Sequence, residues 1–552
     1  MKRINWKTNL VNIVLLIVLF ALIICPLLSV FAKAIITDGH LDIYNALSII
    51  SNSDNIETII NSLKLGIWVV IVSTVIAFPI AYILARTSIG KHKWLDIIFM
   101  IPFMTPPYIA SMGWILFMQK RGLFQQLFPF TNSLSEEFFC FAGLVLVMSL
   151  HVFPFLMTML KNAISNIPAS LEESAAVFKA DPFKRLTKIF LPLLTSNYVI
   201  GALLVFVKTL SEYGTPYTLG RRIGYYVFTT DIHRYSTTSP IDFGKSASLS
   251  SILITICMVM WLLQNYITNN TSYNLISSKG SRKYQSKLTK KTKILSWSWL
   301  IFIIILSIGI PYFSIIVTSI IKLRGYGLQA GNITIDNYIQ LFTSAKALQA
   351  IKNSVFLAVS SATICSILGT IICVAIRKAN GPIKKILEAF SLLPEMLPSI
   401  VIVIGIMLFY NSIYKIVPIY NTMAILVLAY VVLYLPYTIQ YVTSSFTSIN
   451  NSLIEAGHIF KGNNLYVFKT ITFPLIAKGV LSGWMMIFII AFRELVTASL
   501  LAPVNVLVVS TYINREFEQG SVSSGMAMAV LCVIITVTAL LLFNNLTKKE
   551  VN

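Results

Sequence analysis

Apolar residues run in long blocks along this chain, separated by short polar segments. Twelve blocks approach the ~20 residues that a helix needs to cross a hydrocarbon core. They lie at roughly 9–33, 63–85, 95–118, 139–161, 194–214, 247–268, 295–320, 354–376, 386–410, 423–444, 476–500 and 524–545. Blocks of this length are too long for strands, so the pattern predicts an all-α membrane protein with twelve transmembrane helices. The first block follows Lys2, Arg3 and Lys7 as a signal peptide would, but it is too long for a typical signal core and is read as a retained helix.

Two of the polar segments are related. Glu173-Ser174-Ala175-Ala176-Val177-Phe178-Lys179 leads to Ile189-Phe190-Leu191-Pro192, and Glu455-Ala456-Gly457-His458-Ile459-Phe460-Lys461 leads to Ile471-Thr472-Phe473-Pro474. The register between them, 282 positions, also relates Pro154 to Pro436 and Glu212 to Glu494. A register of 292 relates Pro102 and Pro106 to Pro394 and Pro398, and Gly113 to Gly405. The chain is therefore a duplication, with about ten extra residues in the loop after the third block of the first half. The expected organisation is a first half at 1–270, a basic linker at 271–294 and a second half at 295–552. Six spans is an even number, so the halves share one orientation and are related by an axis along the membrane normal.

Composition agrees with the membrane reading. Of 552 residues 56% are hydrophobic and only 12% charged, and the formal net charge is +22. With the N-terminus inside, about 27 of the 43 Lys and Arg fall in cytoplasmic segments, so the charge follows the positive-inside rule and does not imply nucleic-acid binding. Both termini, the linker and both duplicated loops are expected in the cytoplasm. The six cysteines form no CxxC pair, and no phosphate-binding G-x-x-x-x-G-K-[ST] run or nucleophile–base constellation occurs. No cofactor, no metal and no catalytic residue are expected of this chain.

Each duplicated loop opens with an S-x-x-E box, Ser170 to Glu173 and Ser452 to Glu455, which predicts a capped helix start. A short helix of about seven residues is expected, broken at Asp181-Pro182 in one copy and at Gly462-Asn463-Asn464 in the other. A second short helix then presents an apolar ridge between basic flanks. On physical grounds such an elbow lies on the inner leaflet or docks a partner.

The loop pattern resembles the EAA loop of ABC-importer permeases of the binding-protein-dependent type. Glu173, Ala175, Ala176, Ile189, Leu191 and Pro192 carry the likeness in the first copy, and Glu455, Ala456, Ile471 and Pro474 in the second. Lys179 and Lys461 stand where the family has glycine, with Ala180 and Gly462 directly after. The resemblance implies two fused six-helix permease halves whose loops at 170–192 and 452–474 engage two cytoplasmic ATPase subunits, which carry the ATP. It also implies a bacterial inner-membrane protein supplied by an external binding protein. Leu210-Ser211-Glu212-Tyr213-Gly214-Thr215 and Arg493-Glu494-Leu495 are similar to motifs of the ferric-iron type permeases. Ferric iron is thus the first expectation for cargo, with thiamine, aminoethylphosphonate and polyamines as alternatives. The rival is a twelve-span secondary transporter driven by an ion gradient, which would need titratable coupling residues at the midplane.

Charges and prolines inside apolar blocks are candidates for the pathway or for the interface between halves. Lys208 and Glu212, four apart, can pair, and Arg493 stands beside Glu494. Pro102 with Pro106, and Pro394 with Pro398, should kink the third and ninth spans, and Glu395 places a charge inside the second kink.

Overall fold

The computed structural model describes residues 6–37, 40–42, 44, 48–49, 51–129, 132–178, 181, 184, 187–188, 191–270, 288–447, 449–460 and 463–548. Most of the linker, 271–287, lies outside them. The fold is helical; the described strands are limited to the short hairpin Ile36–Thr37 and His40–Leu41.

Among the described residues, ten helices are long and apolar enough to cross a membrane, or twelve spans if each of two bent pairs counts as one. The first half contributes α1 (Leu10–Ile35), α2 (Ser53–Arg86), the pair α3 (Trp94–Met104) and α4 (Pro107–Met118), α5 (Phe141–Ser165), the loop helix α6 (Ala169–Val177), α7 (Leu191–Ser211) and α8 (Phe243–Thr268). The second contributes α9 (Lys290–Ser319), α10 (Ala345–Lys378), the pair α11 (Gly381–Met396) and α12 (Ser399–Ser412), α13 (Met423–Thr447), the loop helix α14 (Asn451–Ile459), α15 (Phe473–Phe492) and α16 (Val522–Lys548).

Three expectations change. The proline pairs do more than kink their spans. The bend is 89° between α3 and α4 and 109° between α11 and α12. Pro106 and Pro398 have no N–H to offer the preceding turn, so the helix stops and restarts in a new direction. The second and eighth spans start about ten residues earlier than hydropathy alone suggests. α2 and α10 are 34 residues each, about 50 Å, well beyond the ~30 Å core. The fifth and eleventh spans end earlier, at Ser211 and Phe492, so Glu212, Arg493 and Glu494 stand at helix ends and not inside helices.

The packing also differs from the linear division into 1–270 and 295–552. One compact unit comprises Met1–Ile50, Ile232–Ile254 and Thr334–Asn552, and the other Ser51–Asp231 and Thr255–Ile333. Each unit thus takes the leading helix of the other half. Glycines in repeat register make this possible. A Cβ on Gly405 would lie 2.6 Å from the Pro26 carbonyl oxygen of α1, and one on Gly113 would lie 2.6 Å from the Pro311 carbonyl oxygen of α9. Both leading helices carry a π-helical turn just before the proline, Phe20–Ile24 and Ile305–Gly309. Such a shift absorbs the hydrogen bond that Pro26 and Pro311 cannot donate.

Within each unit the core is a three-helix cluster: α2, α5 and α7 in one, α10, α13 and α15 in the other. Small residues set the approach here too, with Gly369 and Gly483 both against Thr438.

Candidate functional site

Both loops begin as helices, α6 and α14, but the predicted serine boxes do not cap them. α6 starts at Ala169 and α14 at Asn451, so Ser170 and Ser452 already lie inside the first turn. In the second copy Asn450 takes the capping role, its Oδ1 accepting the Ser452 N–H at 3.2 Å. Asparagine provides the same local acceptor as serine, which is why the motif alone misplaced the start.

The helices end at Val177 and Ile459, four and three residues before the predicted breaks at Asp181 and Gly462, in turns at Phe178 and Phe460. In the second copy the chain restarts at Asn464–Val467, with Asn463 Oδ1 accepting the Tyr466 N–H at 2.7 Å. A π-helical turn, Phe468–Thr472, then leads into α15. Gly457 closes this elbow. A Cβ there would meet Ile471 Cδ1 at 2.7 Å and Val467 Cγ2 at 3.2 Å, so any larger residue would have to displace the Ile471 side chain for α14 to lie against the returning segment. Ile471 therefore acts as packing inside the elbow. Glu455 and Pro474 are exposed, Ala456 is half-buried, and Leu191 and Pro192 are exposed at the start of α7. Lys179, Ile189, Lys461 and Gly462 lie outside the described residues, as do the side chains of Glu173, Ala175 and Ala176.

The outermost described residues of the elbows are apolar. Val177 and Phe178 are 79% and 84% exposed, and Ile459 and Phe460, in the same repeat register, are 77% and 86% exposed. Four large apolar groups displayed at the turns of polar loops are a surface awaiting cover. They sit within the two quoted motifs, yet sequence reasoning chose the family-matching positions on either side of them; the shared register of an aromatic residue in a charged loop was the available signal.

The base of each elbow is gripped by an arginine that the sequence did not single out. Arg86, the last residue of α2 and 1% exposed, donates from Nη2 to the Ile167 carbonyl at 2.8 Å, between the end of α5 and the start of α6. Arg377, near the end of α10, donates from Nη1 to the Phe446 carbonyl at 3.0 Å, one residue before α13 ends. Its guanidinium also lies over the Phe446 ring, 5.0 Å from the centroid. Cations suit the carbonyl-rich end of a helix.

Away from the loops, Glu212 and Glu494 form a second duplicated device. Glu212 accepts the Gly214 N–H at 2.7 Å and the Thr215 N–H at 3.0 Å. Glu494 accepts from Val496 at 3.0 Å and Thr497 at 2.9 Å. Thr229 and Ser510 donate their hydroxyls to the main-chain carbonyls of the two glutamates. Each carboxylate thus caps the turn that follows its helix. The expected Lys208–Glu212 pairing is not made: Glu212 faces the main-chain N–H groups, and Lys208 is exposed.

The broken spans differ in polarity between the halves. The Pro102 carbonyl would normally receive the N–H of residue 106, which is a proline. His151 Nδ1 fills the gap at 2.9 Å; a carbonyl can only accept, so Nδ1 carries the proton. In the second half Gln440 donates to Glu395. Further along α13, Tyr430, Tyr434 and Tyr437 stand in contact at helical spacing, where the first half has Met148, Val152 and Phe155.

Comparison with known proteins agrees with this duplicated arrangement. The family described as "Binding-protein-dependent transport system inner membrane component" matches residues 77–273 and again 366–551. The chain is 25% identical over 548 residues to the ferric transport system permease protein of Actinobacillus pleuropneumoniae, covering 97% of this chain and 77% of that one. It is 24% identical over 496 residues to the Fe(3+)-transport system permease protein of Haemophilus influenzae, covering 89% of each. A spermidine/putrescine transport system permease protein of the same organism is 23% identical over 249 residues, 45% of this chain but 95% of its own length. A one-half relative that fits half of this chain agrees with the internal repeat. The gradient-driven alternative falls with the family match. The chain belongs to the binding-protein-dependent transport system inner membrane components, the multi-pass permease subunits of ABC importers, with two family units in one polypeptide and ATP hydrolysis left to a separate subunit.

Proposed function

We propose that this permease carries ferric iron, delivered by an external binding protein, and that its two elbows each seat one of two cytoplasmic ATPase subunits. One observation carries the coupling reading: the exposed pairs Val177-Phe178 and Ile459-Phe460 stand at equivalent positions of two duplicated loops. Glu173, Ala175, Ala176, Lys179, Ile189, Leu191 and Pro192 form the first seat. Glu455, Ala456, Lys461, Gly462 and Pro474 form the second, with Ile471 packed behind them. A two-fold partner needs two like contacts. ATP itself binds on those partners, so this chain needs no cofactor. Closure of the ATPases on ATP draws the elbows together and rocks the helices between inward- and outward-facing states. The bias of Lys and Arg supports cytoplasmic termini and cytoplasmic elbows.

Iron rests on the two ferric-transport relatives and on the chemistry of the second half. Glu395, held by Gln440 in the second kink, offers the oxygen ligand that a hard cation favours. Pro102, Pro106, Pro394 and Pro398 shape the path by breaking its helices. Glu212, Lys208, Arg493 and Glu494 hold its rim. Deleting Glu455–Pro474 should abolish co-purification with the ATPase, and reconstituted protein with its binding protein should take up ferric iron on ATP. A complex that survives deletion of both elbows would refute the coupling reading; uptake of a polyamine but not iron would refute the cargo.

A further inference from the structure

We infer that Arg86 and Arg377 are positioning residues that transmit force between the elbows and the transmembrane helices. This rests on the reading of the elbows as ATPase seats. Each elbow follows a span, α5 or α13, whose last carbonyls have no partner further along the helix. A guanidinium at the end of the neighbouring span α2 or α10 donates there: Arg86 to Ile167 O at 2.8 Å, and Arg377 to Phe446 O at 3.0 Å, a carbonyl that also accepts the Ile449 N–H at 3.2 Å.

The two arginines are one position out of repeat register, Arg86 aligning with Lys378, and their acceptors differ by three. The halves therefore reach the same contact by slightly different geometry, which marks the contact itself as the shared feature. The surroundings make the first anchor stiff. The Thr87 hydroxyl donates to the Ile83 carbonyl at 2.7 Å, and a Cβ on Gly90 would lie 1.9 Å from the Leu84 carbonyl oxygen. The chain thus turns tightly after Arg86 and leaves the guanidinium little freedom. The second anchor is held by its stack on Phe446.

A load applied at Phe178 or Phe460 enters the core through the joint between the elbow and the end of α5 or α13. With the arginine in place that joint is pinned to a second helix of the same three-helix core, α2 or α10. Remove the anchor and the elbow hinges at the joint, so ATP is spent without moving the core.

The test uses the full permease with its ATPase subunits in proteoliposomes, supplied with binding protein and ferric iron. Native protein and an elbow deletion are run first; if the deletion still binds the ATPase, the seat reading fails and not the anchor. The variants are Arg86→Met, Arg377→Met, the pair, and the corresponding lysines. ATPase affinity should stay within about twofold of native, while iron taken up per ATP hydrolysed falls about tenfold in the pair, the scale of one charge-assisted hydrogen bond. Lysine, which keeps a cationic donor, should restore part of the ratio. The buried Arg86 variants are checked by melting temperature. Because Arg377 is half-buried, Arg377→Lys and Arg377→Met carry the test if Arg86 variants misfold. An unchanged uptake-to-ATP ratio would overturn the inference, and so would a loss of ATPase affinity in step with the loss of uptake.

Discussion

Truncating the aromatic tips, Phe178→Ala and Phe460→Ala, tests the seat reading most directly. Each ring is more than four-fifths exposed in the free chain, so nearly all of its apolar surface is available for burial. Fully burying such a side chain is worth about 1.5–3 kcal/mol, and alanine retains only the Cβ. The loss is therefore about 2 kcal/mol per loop, or roughly a 30-fold rise in Kd for the ATPase. If one ATPase dimer engages both tips, the double variant loses about 4 kcal/mol, approaching 1,000-fold. The exposures of the two rings are nearly equal, 84% and 86%, so the single variants should weaken binding by similar factors. Binding is measured on permease in nanodiscs against titrated ATPase subunits. Phe302→Ala serves as control, since that ring is 51% exposed, lies within the membrane-spanning helix α9 and belongs to neither loop. Nothing in the free chain packs on the tips heavily enough for its melting temperature to move. A double variant that binds within threefold of native, or a control that weakens binding as much, would refute the reasoning.

Three further outcomes follow from the packing. Gly113→Ala and Gly405→Ala push a Cβ into backbone atoms of Pro311 and Pro26, so each should cost about 1–3 kcal/mol of stability, read as a lower melting temperature in detergent. Glu212→Gln and Glu494→Gln replace charge-assisted caps by neutral ones and should each lose about 1–2 kcal/mol, whereas Lys208→Met should change stability by less than ~0.5 kcal/mol; equal effects at 208 and 212 would mean an ion pair after all. His151→Phe leaves the Pro102 carbonyl without its donor and should cost about 1–3 kcal/mol, with His151→Gln recovering part of it because an amide can also donate.

Hydropathy and the repeat made the architecture legible, because a twenty-residue apolar run has few alternatives in a bilayer. The proline pairs announced the broken spans, though only the missing N–H of Pro106 explains why the bend is nearly square. What stayed hidden was tertiary. Arg86 reads in sequence as one of many basic residues flanking a span, and its value lies in a carbonyl 81 positions away. Glu212 reads as a partner for Lys208 because both occupy one helix face; the helix ends at Ser211, and main-chain donors win. Ser170 and Ser452 look like caps, and a start one residue earlier moves them inside the turn. The exchange of leading helices left only Gly113 and Gly405 as a trace, without naming their partners.

That exchange sets an order of birth. Pro311 finds Gly113 already made, so the unit ending at Ile333 can close as soon as α9 leaves the ribosome. Pro26 must wait until Gly405 appears, about 380 residues later, which at roughly 5–20 residues per second is some 20–80 s of synthesis. During that interval α1 stands in lipid, which solvates its apolar side chains about as well as protein will. Thus α1, made before every other described helix, is among the last to be built in.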